Sequence, residues 1–145
     1  MRFADIPGLE EVKKSLYNAF QSNHVAHAQL FQGQQGSANL AMALAFASLV
    51  NCENPAEGDA CGQCPACSKN QKFIHPDVHF VFPVSAVEKK EPISQSFFPE
   101  WRQFLTQNPY GNEVDWSNFF GGENKQLNIS KEESRQIIRN LALKS

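Results

Sequence analysis

Apolar side chains recur every three or four residues in three stretches of the chain and every second residue in another. In GLEEVKKSLYNAFQSN (8–23), Leu9, Val12, Leu16 and Phe20 make one stripe. That spacing predicts a helix opened by Pro7 or Gly8 and closing near Asn23 and His24. PEWRQFLTQNP (99–109) sets Trp101, Phe104 and Leu105 on one side behind Pro99, a proline suited to a first helical turn. SKEESRQIIRNLAL (130–143) has Ser130 three residues before Glu133, the capping-box spacing, and Ile137, Ile138 and Leu141 as its stripe. DVHFVFPV (77–84) alternates: Val78, Phe80, Phe82 and Val84 share a face, the period of a strand.

A second strand is predicted at AHAQLFQG (26–33), where Ala28, Leu30 and Phe31 form a short apolar run ending at a glycine. From Ala38 to Val50 nearly every residue is apolar, the mark of a helix buried on all sides. The local order is therefore strand, glycine-bearing loop, buried helix, as at the start of a P-loop domain. Residues 51–72 hold cysteines among Pro, Gly, Glu and Lys and read as a loop-rich excursion. Residues 85–127 are the least regular. Their turn-rich YGNEVDWSNFFGGENKQ (110–126) carries Trp116, Phe119 and Phe120, which are expected in a core, as are Trp101 and Phe104; an exposed cluster would instead mark a partner site.

Composition narrows the classes. A chain of 145 residues, 41% hydrophobic and 19% charged, fits one globular domain. A net charge of −2 disfavours independent binding to DNA or RNA. The opening MRFADIPGLEEVKK lacks the apolar core of a signal peptide. No run reaches the roughly 18 apolar residues that span a bilayer. The expectation is a cytoplasmic protein without a membrane partner.

The four cysteines follow the spacing C-x8-C-x2-C-x2-C at Cys52, Cys61, Cys64 and Cys67. In a reducing compartment, clustered cysteines point to metal rather than disulfides. Four thiolates close a tetrahedral Zn2+ site at about 2.3 Å, and a site filled by protein leaves no position for a catalytic water, so the zinc is structural. An iron–sulfur cluster is the rival, but its run needs a fourth Cys followed by Pro just downstream, and residues 68–76 contain no Cys. Free buried thiols are the third reading. His75 and His79 lie nearby, yet four cysteines already suffice. A stand-alone zinc module for nucleic acid needs a basic surface; Lys69 and Lys72 are opposed by Glu53, Glu57 and Asp59.

The loop GQQGSANL (33–40) fits the frame G-x-x-x-x-G-K-[ST] imperfectly. Gly33 is the first glycine and Gly36 lies within the loop. Ala38 stands at the second glycine, Asn39 at the lysine, Leu40 at the hydroxyl residue. Asn39 brings no positive charge to a phosphate and Leu40 no oxygen to Mg2+. Two such losses at ~1.5–3 kcal/mol each weaken binding roughly 10^2- to 10^4-fold. Hydrolysis suffers more, because it depends on positioning the metal. The loop is expected to be vestigial, with no catalytic residue in the chain; a divergent but active P-loop ATPase is the enzyme alternative.

Taken together, FADIPGLEEVKKSL (3–16), HVAHAQLFQGQQGSANLAMALAFASLVNC (24–52), CGQCPACSKNQKFIHPDVHFVFPV (61–84) and ISKEESRQIIRNL (129–141) resemble the AAA+ module of bacterial DNA polymerase III clamp-loader subunits. The resemblance covers residues 1–84 and 128–143; 85–127 reads as an insertion. It implies an α/β fold, a parallel sheet with flanking helices and an inserted zinc knuckle at 52–67. It also implies Cys52, Cys61, Cys64 and Cys67 as the zinc ligands. The tau/gamma motor subunits keep the lysine and hydroxyl; the missing pair, with HPD after the knuckle, is similar to the delta prime branch. That branch implies a non-catalytic stator packed beside motor subunits and delta in a ring that opens the sliding clamp onto primed DNA. No acidic Walker B strand, sensor residue, helical lid or Ser-Arg-Cys segment is present. Residues 1–145 therefore read as the N-terminal part of such a module.

Overall fold

In the computed structural model, residues 1–87 and 89–143 are described. The chain divides into two compact units, Met1–Val78 and His79–Ser145.

The first unit is organised around its most apolar segment. Helix α1 spans Glu10–Gln21, α2 spans Asn39–Val50 and α3 spans Pro65–Gln71; a short 3-10 turn, Phe3–Asp5, precedes them. Ala41, Met42, Ala45, Phe46 and Leu49 of α2 form a buried core with Phe3 and Ile6. The prediction of a buried helix holds: seven of its residues are buried, on several sides of the helix. The stripe on α1 is used only in part. Leu16, Tyr17 and Phe20 pack against the α2 core, whereas Leu9 and Val12 are 49% and 45% exposed. Leu9 is not helical at all: it precedes α1 in the left-handed region at φ 58°.

The second unit is built on rings. Helices α4 (Phe98–Gln107), α5 (Glu113–Phe120) and α6 (Lys131–Ala142) follow a 3-10 turn at Ser94–Phe97. Phe82 stacks on Trp101 with centroids 4.2 Å apart. Trp116 meets Trp101 edge-on at 5.0 Å, and its indole N–H donates to the Pro83 carbonyl at 2.9 Å. Offset and edge-to-face pairs of this kind add to what burial alone gives. Of the aromatics expected in a core, Trp101, Phe104, Trp116 and Phe120 are buried and Phe119 is half-buried, and Phe97 joins them. Helix α5 was not legible as a helix. Its signals are at the ends: the Asn112 side chain accepts from Val114 N–H and Asp115 N–H, Asp115 answers on Asn112 N–H, and Gly121 closes the helix at φ 83°.

The expected parallel sheet, and with it the α/β P-loop fold, is not found. The described residues are helical with irregular connections, and no strand forms among them. Pairing is confined to isolated bridges, Ala56 with Asp59, Val84 with Asn128, and Val87 with Lys90. A strand is held by the neighbour that satisfies its N–H and C=O groups. The first predicted strand falls in the first unit, and the second, 77–84, crosses the boundary into the second. Residues 26–33 have no extended neighbour among the described residues, and Leu30 is 86% exposed. Residues 78–84 do keep the alternation, since Phe82 and Val84 are buried and His79 and Val81 exposed. Their core is made by helices and rings rather than by a ladder.

Ser130 caps α6 by accepting from Glu133 N–H at 3.2 Å. The reciprocal half of the capping box is absent. The Glu133 carboxylate instead accepts from Ser94 N–H at 2.6 Å, and the Ser94 hydroxyl is bonded to both N–H and C=O of Phe82. Ile138 and Leu141 of α6 remain 68% and 63% exposed. No described helix is long and apolar enough to cross a membrane.

Candidate metal centre and glycine loop

Helix α2 ends in an αR residue, Asn51, and the next residue is Cys52. The chain then makes a tight turn, Ala56–Asp59, closed by hydrogen bonds in both directions between Ala56 and Asp59. Glu57 and Gly58 both have positive φ, 54° and 79°, the mirror-image turn suited to a two-residue hairpin. That reversal brings Cys61 back beside Cys52, and Cys61 N–H donates to Cys52 Sγ at 3.2 Å. Cys64 then caps α3, its sulfur accepting from Cys67 N–H, with Pro65 in the first turn. All four sulfurs lie within 4.8 Å of one another.

The donor set fits a tetrahedral metal. Zinc–sulfur bonds of about 2.3 Å require sulfurs about 3.8 Å apart, and Cys61 Sγ and Cys67 Sγ are separated by 3.9 Å. Backbone N–H groups point at the sulfurs, as thiolates need: Gln63 and Cys64 donate to Cys61 Sγ at 3.5 and 3.4 Å. Those two donors pull the Cys61 thiol down to about 6. Burial pushes Cys67 up to about 12 and raises Cys52 as well. Burial also works against the Cys64 thiolate, but N–H donors from Glu53 and Cys67 outweigh it and the group is lowered. A divalent cation supplies the charge that would hold all four ionised together. It would cross-link the C-terminal end of α2 to α3. His75 stands apart, its Nδ1 accepting from Asp77 N–H at 3.2 Å.

The structure also shows contacts that spacing did not reveal. Asp59 Oδ1 accepts from Phe3 N–H at 3.0 Å and Ala60 N–H at 2.7 Å, and Oδ2 accepts from Ala4 N–H at 2.9 Å. The Arg2 side chain lies against Gly62; a Cβ there would meet Arg2 Cδ at 3.0 Å, and Gly62 is at φ +74°. In the sequence Asp59 is legible only as an acidic residue two places before Cys61.

At the other end of α2 the glycine loop is compact. Ser37 N–H bonds to the Gln34 carbonyl at 3.0 Å, and Gly36 turns the chain at φ +81°. Gly33 packs so tightly that a Cβ would fall 2.1 Å from Ser37 Oγ. Ser37 Oγ donates to Asn39 Oδ1 at 3.2 Å, so Asn39 is engaged within the loop. Ala38 caps the helix without a side-chain bond, and the first turn holds no acidic residue. Asn39 and Leu40 are half-buried. The structure thus brings Gly33, Gly36, Asn39 and Leu40 to the N-terminal end of the same helix that carries Cys52 after its C-terminal end.

The first unit is a small helical module with a closed group of four thiols and a glycine loop leading its central helix. Comparison with known proteins gives the family. A profile described as DNA polymerase III, delta subunit, matches residues 8–145, and the chain belongs to that family. The range takes in 85–127, where no motif is legible. DNA polymerase III subunit tau of Bacillus subtilis is 39% identical over 66 residues, 46% of this chain and 12% of its own length. DNA polymerase III subunit delta' of Bacillus subtilis is 37% identical over 84 residues, 57% of this chain and 25% of the relative. Subunit delta' of Pseudomonas aeruginosa is 37% identical over 70 residues, 48% of this chain and 21% of the relative. The chain therefore spans a quarter or less of these relatives. No solved structure matches it.

Proposed function

We propose that the chain is part of a non-catalytic clamp-loader subunit of DNA polymerase III, of the delta prime type. Its partners are then motor subunits of the tau/gamma type and delta, and through the assembled ring the sliding clamp and primed DNA. Family membership and the delta' relatives support this reading. The observation that carries the non-catalytic part is the end of α2: Asn39 and Leu40 occupy the positions of the phosphate-binding lysine and the Mg2+-binding hydroxyl, and the loop's own hydroxyl, Ser37, is directed at Asn39. In this reading Cys52, Cys61, Cys64 and Cys67 hold a structural Zn2+. The metal supplies charge and a four-way cross-link, while the chain supplies the sulfurs and the N–H groups that steady them.

A second reading, an active motor of the tau/gamma type, draws on the identity to Bacillus subtilis tau. Equilibrium titration with Mg-ATP separates the two. The non-catalytic reading expects no saturable binding up to millimolar nucleotide. Micromolar affinity together with ATP hydrolysis would establish the motor.

A further inference from the structure

The three leading N–H groups of the first turn are all taken by carboxylates. Arg2 N–H goes to Asp5 at 2.8 Å, and Phe3 and Ala4 N–H go to Asp59. Asp59 belongs to the cysteine loop: its own amide closes the Ala56–Asp59 turn, and its carboxylate also accepts from the next residue, Ala60, which is buried among the cysteines. The turn it grips inserts Phe3 and Ile6, 3% and 1% exposed, into the α2 core.

We propose that Asp59 is a positioning residue through which the four-thiol centre latches residues 2–6 onto the α2 core. The inference rests on the metal reading of the four cysteines and extends it to a consequence: closing the centre fixes Asp59, and Asp59 fixes the turn that delivers Phe3 and Ile6. Backbone N–H groups bound to a carboxylate are held by charge-assisted bonds, stronger than neutral ones. Their carboxylate is aimed by a two-residue turn anchored between Cys52 and Cys61. Without metal, the loop from 52 to 67 loses its cross-link and the aim of Asp59 with it. Arg2 reinforces the latch. Its side chain lies over Gly62, a position at φ +74°, and so sets a cation beside the cysteine-bearing turn.

The test follows amide hydrogen exchange at Phe3 and Ala4 while the metal-free 145-residue chain is titrated with zinc alone. One equivalent should slow both amides roughly ten- to a hundredfold, the range of a charge-assisted hydrogen bond. In Asp59→Asn, zinc should still bind one to one, while Ala4 exchanges as in the metal-free chain, because an amide NH2 then faces its N–H. Exchange that ignores zinc overturns the latch, and so does full protection in Asp59→Asn. Should that variant fail to take up zinc, Ala4→Pro decides, since it removes a donor and leaves the loop intact. Coupling is reciprocal, so zinc affinity must fall in Ala4→Pro, and an unchanged affinity overturns the proposal. Failure of the unmodified chain to bind zinc removes the metal reading and the latch together, whereas zinc uptake without protection removes the latch alone.

Discussion

Helix α2 carries an irregular loop at each end, and the two loops have different contents. The loop at the N-terminal end keeps its turns: Gly33 is packed on Ser37 and Gly36 is left-handed. The side chains that follow it, Asn39 and Leu40, are an amide and a leucine. The loop at the C-terminal end brings four sulfurs together and aims backbone N–H groups at them. A loop's path and its reactive groups are therefore separable. Glycines and turn bonds set the first, while a few side chains decide whether anything binds.

The largest effect should come from breaking the C-terminal loop. Cys67→Ser removes a buried donor, abolishes stoichiometric zinc uptake and destabilises the first unit by more than about 4 kcal/mol, the scale of lost metal sites. Elemental analysis with a denaturant titration checks both. The converse experiment rebuilds the N-terminal loop. Ala38→Gly with Asn39→Lys and Leu40→Thr should raise Mg-ATP affinity roughly 10^2- to 10^4-fold, from two charge-assisted interactions of ~1.5–3 kcal/mol each. Calorimetry reads the gain.

Acid should act on the C-terminal loop in a defined direction. Metal binding displaces thiol protons, so affinity falls as pH falls. With Cys61 already ionised above about 6 and Cys67 protonated up to about 12, zinc uptake at neutral pH should release fewer protons than there are cysteines. Below about 6, where Cys61 also binds its proton, the dependence on pH should steepen. Proton release in weakly buffered solution measures this. The smallest effect belongs to Ser37→Ala, which removes the bond to Asn39 and should cost about 0.5–1.5 kcal/mol in thermal stability.

Sequence spacing revealed α2, because an apolar run that long has few alternatives, and it singled out the four cysteines, whose sulfurs the structure brings within 4.8 Å of one another. Helix α4 was legible from Pro99 and its Trp101–Phe104–Leu105 face. Neither predicted strand forms: the short apolar run at 26–33 leaves Leu30 86% exposed, and the alternation at 77–84 reports burial by faces and not pairing. Phe82 and Val84 are buried as a strand's inner face would be, but only Val84 finds a backbone partner, Asn128. Helix α5 hid behind Gly111, Gly121 and Gly122, although Asn112 and Asp115 had the spacing of a cap. Asp59 was invisible for a simpler reason: its partners, Phe3 and Ala4, lie more than fifty residues away, and no local pattern encodes that.

Native mass spectrometry of the chain incubated with zinc and Mg-ATP reads both ends of α2 at once. The account predicts a single species carrying one zinc and no nucleotide. A nucleotide adduct, or a folded chain that takes up no metal, would contradict it.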